Sequence, residues 1–491
     1  MRSISTTVSR CAALLLCTGV ALSAPRPASP AGSSLEAALA SVTAEDISAD
    51  LHFIASDELG GRDTPSLGLR VAARFLRARL QRLGWEPGAE HGYFFEYPLE
   101  VHRIDEAASS AELVHGGERV ELRWGRDYFF PGRDLADVDV EGEVVFCGEG
   151  GKEDFGAADA RDRWALCLDG DLHWRRRERY ATDAGARGVL VVPGPQYSGD
   201  PYALRFQRDS DGALRGKAHW PSSKEEDAVF PHVYLSGDVA ASVFGDLVGA
   251  PPPVGTDLGV QFHERRALVG DDGLVTLENV CGFWPGSDPV LGQQVIIVSA
   301  HYDHVGQQPN GDIYNGADDN GSGTCGLLAV AQMLRTHGPL RRSVLLLWVS
   351  GEEKGLLGSR AWTESPWLPG GRHAVCDINI DMIGRNAPDY LLVTPTKQRR
   401  EYNGLVRLAE QLAPGEGFPK LGSCDDYWAR SDHMNFAKNL EIPVMFLFSD
   451  VHEDYHRPTD TADKIDYDKV LRISRLVVRM LDGLQADELK L

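Results

Sequence analysis

Hydrophobic positions divide the chain into three stretches with different periodicities. Between about 41 and 84, apolar residues recur every three or four positions with arginines between them, which predicts an amphipathic helix ending at Gly84. From 127 to 261, short β-rich runs such as Trp164–Leu168 and Gly188–Val192 dominate. From Asn279 onward, continuous apolar runs alternate with amphipathic stretches, which predicts strands covered on both faces by helices.

This alternation predicts a mixed, mostly parallel α/β sheet flanked by helices, with a smaller β-rich domain inserted into it. Predicted core strands begin at Gln294, Ser343, Ile378, Leu391 and Pro443, and predicted helices cover 322–337, 400–412 and 467–484. The expected organisation is a leader at 1–23, a Pro/Ser-rich linker at 24–40, a first part of the α/β domain at 41–126, the insertion at 127–261 and the rest of the α/β domain at 262–491.

The first residues follow the pattern of an export signal. Arg2 and Arg10 precede an apolar run at 11–22, and small residues near Ser23 suit signal cleavage there. We therefore expect an exported protein, periplasmic or extracellular; a lipoprotein anchored through Cys17 is the alternative, although leucine before that cysteine matches poorly. No later apolar run reaches the roughly 18 residues of a membrane span, so no transmembrane anchor is expected.

Composition narrows the class of partners. Lysine and arginine total 50 against 72 acidic residues, a formal charge of −22, which argues against binding nucleic acid or anionic lipid. An acidic balance leaves a metal-binding hydrolase open. Six cysteines remain after the leader and form no C-x-x-C pair, so both disulfides and buried thiols stay possible.

Metal-type residues follow each predicted core strand, where ligands bind in open α/β sheets. They lie in Ala300-His301-Tyr302-Asp303-His304, Gly316-Ala317-Asp318-Asp319-Asn320-Gly321-Ser322-Gly323, Gly351-Glu352-Glu353, Asn379-Ile380-Asp381 and Tyr455-His456. Each segment alone also fits a helix cap or a turn, but five at strand ends favour a metal site. Two imidazoles and three carboxylates suit zinc, and a bridging Asp318 would give each of two ions three protein ligands and one open position.

Together these segments resemble the secreted di-zinc aminopeptidases of the bacterial leucyl aminopeptidase type, in the zinc exopeptidase superfamily. The resemblance covers Asn279 to the C-terminus, including Asp381-Met382-Ile383-Gly384 and Ser431-Asp432-His433, and extends to Ala55-Ser56-Asp57-Glu58-Leu59-Gly60-Gly61-Arg62 near the start. The inserted region is similar to a protease-associated domain, on the weaker basis of Arg187-Gly188-Val189-Leu190.

The resemblance implies a secreted aminopeptidase that holds two zinc ions per chain and acts on peptides. By it, His301 and Asp381 bind one zinc, Glu353 and His456 bind the other, and Asp318 bridges them. Asp303 orients His301, and Asp319 stands behind the ligands, joined to Asp318 by a cis peptide bond. Glu352 transfers the proton of a zinc-bridging water, and Tyr455 stabilises the oxyanion.

Three alternatives remain open from the sequence. A glutaminyl cyclase on the same fold would use one zinc, a carboxypeptidase would differ only in pocket residues, and a non-enzymatic receptor of similar layout would have lost ligands that this chain retains. Tyr427, Trp428 and Phe418 are possible linings of a side-chain pocket, although loop aromatics more often serve packing.

Overall fold

The computed structural model describes residues 34–130, 136–195, 213, 216–220, 229–269, 274–308 and 310–491. The predicted leader at 1–23 lies outside these residues, as does most of the predicted linker at 24–40. In the described part of this stretch, the prediction of a linker is wrong, because Leu35–Leu39 forms a short helix capped by the Ser34 hydroxyl. This segment is ordered because Leu39 is buried in the main hydrophobic core.

Four parallel strands form the centre of the larger sheet, in the order Ser343–Val349, Gln294–His301, His373–Ile380 and Val444–Phe448. Both faces of these strands are largely buried, as the sequence predicts. The flanking strands are Leu274–Trp284, Phe94–His102, Lys217–His219 and Glu86–Pro87 on one side, and Leu392–Thr394 and Gly422–Ser423 on the other. The predicted mixed α/β sheet is therefore confirmed.

Helices cover both faces of this sheet because successive strand residues point to opposite sides. Ile296 and Val298 face a core formed with the helices Ala44–Ile54, Leu67–Leu83, Gly323–His337, Gly404–Leu412 and Tyr467–Gly483. Val295 and Ile297 face the opposite core, which includes Trp362 and Phe436 from the helices Leu357–Glu364 and His433–Asn439. Gly84 ends its helix in the left-handed conformation (φ 78°), as predicted.

The second sheet contains strands from the predicted insertion and from the residues before it. Its order is Glu118–Leu122, Ser110–His115, Asp257–Arg266, Val138–Phe146, Trp164–Leu168, Gly188–Val192, His232–Leu235 and Tyr128–Phe129. The helices Lys152–Ala157, Trp174–Asp183 and Gly237–Phe244 accompany it. The strand Ser110–His115 pairs with Asp257–Arg266, so this sheet extends beyond both expected boundaries, 127 and 261.

The six cysteines of the described residues are buried free thiols: Cys147, Cys167, Cys281, Cys325, Cys376 and Cys424. Burial raises the pKa of each thiol, which keeps it protonated and unreactive. Within the described part of the chain, no helix has the length and apolar character needed to cross a bilayer.

Candidate metal centre and active site

The site lies at the carboxyl ends of the four parallel strands. His301 ends one strand, Glu352 and Glu353 lie just beyond the next, and Asp381 follows a third. His456 lies in the loop after the strand Val444–Phe448. Because parallel strands end at the same edge, residues far apart in sequence converge there, as predicted.

Two groups of potential metal ligands meet at this edge. One contains His301, Glu352 and Asp381, and in the other His304, Asp319, Glu353 and His456 come together; within each group one atom per residue lies within 4.8 Å of the rest. In the first group, His301 Nε2 is 3.2 Å from Asp381 Oδ1. In the second, His456 Nε2 is 3.2 Å from Glu353 Oε1.

The carboxylate between the groups belongs to Asp319. Its Oδ1 is 3.4 Å from His301 Nε2, and its Oδ2 is 3.0 Å from His456 Nε2. The structure thus corrects the prediction that Asp318 takes this position and that Asp319 stands behind it. The cis peptide bond likewise lies one residue later than expected, between Asp319 and Asn320.

Asp318 is fully buried and turned away from both groups. Its Oδ1 accepts a hydrogen bond from the Gly384 backbone N–H at 2.6 Å, and its Oδ2 lies 3.3 Å from His452 Nε2. Asp460 accepts hydrogen bonds from the backbone N–H groups of Asp318 and Asp319, which holds this turn in place. Asp318 therefore contacts the surrounding backbone and His452, whereas Asp319 lies between the two ligand groups.

Other polar residues hold the ligand-bearing segments in position. Asp303 lies with Oδ1 3.6 Å from His301 Nδ1, and its carboxylate also accepts from the backbone N–H groups of Glu352 and Glu353. Ser431 donates to Asp381 Oδ2 at 2.8 Å. Asp303 therefore orders the two-glutamate turn as well as facing His301, and Ser431 orients Asp381.

Arg62 ties the early Asp57–Arg62 turn to the site. Its guanidinium is fully buried and donates to four backbone carbonyls, those of Ile54, Tyr302, Asn315 and Gly316. Its own carbonyl accepts from the backbone N–H of His304. The Arg62 segment was matched to the family from the sequence, but its role in joining two ligand-bearing loops is visible only in the structure.

Of the predicted catalytic residues, Glu352 belongs to the first ligand group and Tyr455 lies beside His456 of the second. Desolvation raises the pKa of Glu352 well above its ordinary value, and the Glu353 carboxylate adds to this while His301 opposes it. Burial also raises the pKa of Tyr455, whose ring stacks on that of His456 at 4.0 Å between centroids. Tyr455 is therefore a neutral hydroxyl donor at physiological pH.

The donor set fits cations. Glu353 Oε1, His456 Nε2 and both ring nitrogens of His304 are buried and lack a hydrogen bond of acceptable geometry, which is unusual unless another partner is present. Burial acts to lower the pKa of His456, yet the carboxylates of Asp319 and Glu353 raise it to about 10. The site therefore favours positive charge, as three carboxylates with imidazoles would for zinc.

A small cleft with both polar and apolar lining residues opens beside Asp319, Glu352 and Asp381. Its other lining residues are Met382, Tyr427, Arg430, Phe446, Phe448, Val451 and Tyr455. Of the aromatics considered from the sequence, Tyr427 lines this cleft. Phe418 instead lies in the main core, and Trp428 packs against His433.

The fold is shared with known aminopeptidase structures. BSAP, a zinc aminopeptidase from Bacillus subtilis, superposes with a TM-score of 0.57 over 91% of this chain and 96% of its own, at 18% identity. Residues 279–481 match the model of peptidase family M28. Over these residues the chain is similar to that family, and the resemblance stated from the sequence is confirmed at this level.

Curated relatives agree with this assignment. A probable leucine aminopeptidase of Arthroderma otae is 28% identical over 39% of this chain, and the aminopeptidase YwaD of Bacillus subtilis is 22% identical over 67%. A probable glutamate carboxypeptidase of Zea mays is 26% identical over 78% of this chain. The chain spans 54%, 64% and 53% of the lengths of these three relatives.

Proposed function

We propose that this chain is an exported zinc-dependent aminopeptidase that removes apolar N-terminal residues from peptides. The observation that carries the proposal is the Asp319 carboxylate, whose two oxygens face separate groups of metal-type ligands beside a partly apolar cleft. Export rests on the leader pattern at 1–23 alone. Cell fractionation of the full chain tests it, with cytoplasmic recovery of the uncleaved form as the contrary result.

Two zinc ions are proposed per chain, with Asp319 between them. His301 and Asp381 would hold one, and Glu353 and His456 the other. When bound, the ions would supply Lewis acidity that lowers the pKa of a water and polarises the scissile carbonyl. This assignment keeps four of the five ligands expected from the sequence and replaces Asp318 by its neighbour.

Glu352 is proposed to carry the proton. Its carboxylate lies among the ligand atoms of His301 and Asp381, and Asp303 fixes its backbone. A carboxylate whose pKa is raised by burial is a stronger base, suited to take a proton from the attacking water and return it to the leaving amine. The neutral hydroxyl of Tyr455, across the cleft, would donate to the oxyanion that forms on the carbonyl.

The cleft supports a preference for an apolar first residue. Met382, Phe446 and Phe448 form an apolar part of its lining. The aminopeptidases among the relatives support action at the N-terminal end of a substrate.

The central test is Glu352→Gln in the mature protein, assayed on leucyl, alanyl and glutamyl nitroanilides. We expect zinc content near two per chain, at least a 100-fold loss of turnover, and a preference for the leucyl substrate before mutation. Glu364→Gln is the control, because Glu364 is exposed and pairs with Arg360 on its own helix. Full activity in Glu352→Gln would overturn the assignment.

The alternatives give different results in the same assays. Cleavage that survives N-acetylation but stops on C-terminal amidation would identify a carboxypeptidase, which the Zea mays relative makes a specific alternative. One zinc per chain with cyclisation of N-terminal glutamine would identify a glutaminyl cyclase. Absence of hydrolysis on all substrates by zinc-loaded protein would leave the receptor-like interpretation.

A further inference from the structure

His304 is a fully buried histidine of the site that has no role in the proposed mechanism. It lies three residues beyond His301, its side chain is fully buried, and its Nδ1 is 2.9 Å from Glu353 Oε1 and 3.7 Å from Asp319 Oδ2. The ring is closely confined, because a Cβ at Gly316 would come within 2.4 Å of its Cγ. The loop that carries Asp319 therefore packs directly against the imidazole.

The close approach of His304 to Glu353 is not a hydrogen bond. Both His304 ring nitrogens and Glu353 Oε1 lack a hydrogen-bond partner of acceptable geometry, although Nδ1 and Oε1 are only 2.9 Å apart. The two atoms are therefore not aimed at each other. His456 Nε2 is unpartnered in the same sense and lies 3.2 Å from the same oxygen. Three buried polar atoms thus crowd together without bonding, as ligands of one shared cation do.

The spacing of these atoms fits a tetrahedron. Zinc–ligand distances of about 2.0–2.1 Å place two tetrahedral ligands roughly 3.3 Å apart. The four distances between the imidazoles of His304 and His456 and the carboxylates of Asp319 and Glu353 are 2.9, 3.0, 3.2 and 3.7 Å. They bracket the expected edge length.

We infer that His304 is a fourth protein ligand of one of the two zinc ions. The ion held by His304, Asp319, Glu353 and His456 would then be saturated by protein, as structural zinc is, whereas the ion at His301 and Asp381 would keep an open position. The two ions are consequently unequal: one is retained tightly, and the other exchanges and faces substrate. This inference rests on the proposed two-zinc site and adds a division of roles within it.

The first test measures metal release rather than activity. Zinc-loaded wild-type protein is dialysed against graded chelator, and the metal that remains is counted. We expect two steps, one ion leaving at much lower chelator than the other. His304→Gln should weaken the tighter step at least about 100-fold and leave the looser one unchanged. His433→Gln is the control, because His433 is equally buried but lies outside both ligand groups.

The second test asks directly whether residue 304 touches the metal. In cobalt-substituted His304→Cys, a thiolate-to-cobalt charge-transfer band in the near ultraviolet is expected, and it requires sulfur in the coordination shell. Thermal unfolding of the metal-free variants checks that each is folded, and the glutamine variant provides its affinity result independently of the cysteine one.

The outcomes separate this inference from the proposed function. Two zinc ions of equal affinity, unaffected by His304→Gln, would overturn the role of His304 while leaving the aminopeptidase assignment in place. Loss of tight binding in His304→Gln without a charge-transfer band in a folded His304→Cys would also overturn it, because His304 would then act only by orienting Glu353. A wild-type chain that binds no zinc would remove the proposed function itself.

Discussion

The sharpest test of the site asks whether Asp318 or Asp319 supplies the carboxylate between the two ligand groups. Asp318 and Asp319 are adjacent and both buried, so their asparagine variants form a matched pair. Asp319→Asn replaces one of two oxygens that face His301 and His456 with an amide nitrogen, which cannot ligate a cation. Asp318→Asn leaves both ligand groups complete, because Asp318 contacts Gly384 and His452 instead.

Asp319→Asn is expected to change zinc affinity, whereas Asp318→Asn is expected to change folding stability. Apparent binding energies of about 10–16 kcal/mol for four-ligand zinc sites amount to roughly 3 kcal/mol per ligand, or about 100-fold in affinity. Asp319→Asn should therefore weaken zinc binding in at least one of the two ligand groups by about that factor, because one of its two oxygens is lost. In Asp318→Asn, the hydrogen bond from the Gly384 N–H loses its charged acceptor, so about 1–3 kcal/mol of stability should be lost without loss of metal.

The assay is metal content by atomic emission after dialysis against chelator, together with thermal unfolding of the metal-free proteins. We expect Asp319→Asn to lose zinc at a chelator concentration that leaves Asp318→Asn with the wild-type content. Asp318→Asn should instead show the larger fall in melting temperature. The opposite pattern, with zinc lost from Asp318→Asn and kept by Asp319→Asn, would refute the observed geometry. It would support Asp318 as the bridging ligand, as expected from the sequence.

Further predictions follow from other buried groups. Arg62→Met should cost more than about 4 kcal/mol of unfolding free energy, because four buried carbonyls, including those of Tyr302 and Gly316, lose their donor; an unchanged denaturation midpoint would contradict this. Tyr455→Phe should lower kcat about 100-fold while zinc content and KM change little, and a wild-type kcat would exclude oxyanion stabilisation by Tyr455. Burial raises the pKa of Asp377 well above its ordinary value, so the folded state holds this proton more tightly and stability should fall as pH rises from about 4. Asp377→Asn should lose this part of the pH dependence of thermal unfolding, and parallel pH profiles would contradict the interpretation.

Local patterns were sufficient for much of the α/β domain. Unbroken apolar runs such as Ser343–Val349 are strands buried on both faces, and Gly84 ends its helix because glycine adopts the left-handed conformation readily. The metal-type residues also lie where the pattern placed them, at the carboxyl ends of those strands. These features depend on neighbours a few positions away, and so the sequence predicts them.

The boundary of the second sheet shows where such patterns fail. Ser110–His115 belongs to it because the strand pairs with Asp257–Arg266, more than a hundred residues later. The residues of this strand do not indicate whether it pairs with Asp257–Arg266 or with a strand of the larger sheet. The same is true of Arg62, whose carbonyl partners include Tyr302 and Asn315.

The sequence by itself determined the fold class, the edge of the sheet that carries the chemistry and the residue types collected there. Only the tertiary structure decided which of two adjacent aspartates stands between the ligand groups, and that His304 joins one of them. The physical reason is that one step along the backbone changes no local pattern but redirects a side chain completely. Asp319 faces His301 and His456 because the turn after Gly316 packs against His304 and is held by Asp460, contacts made only in the folded chain.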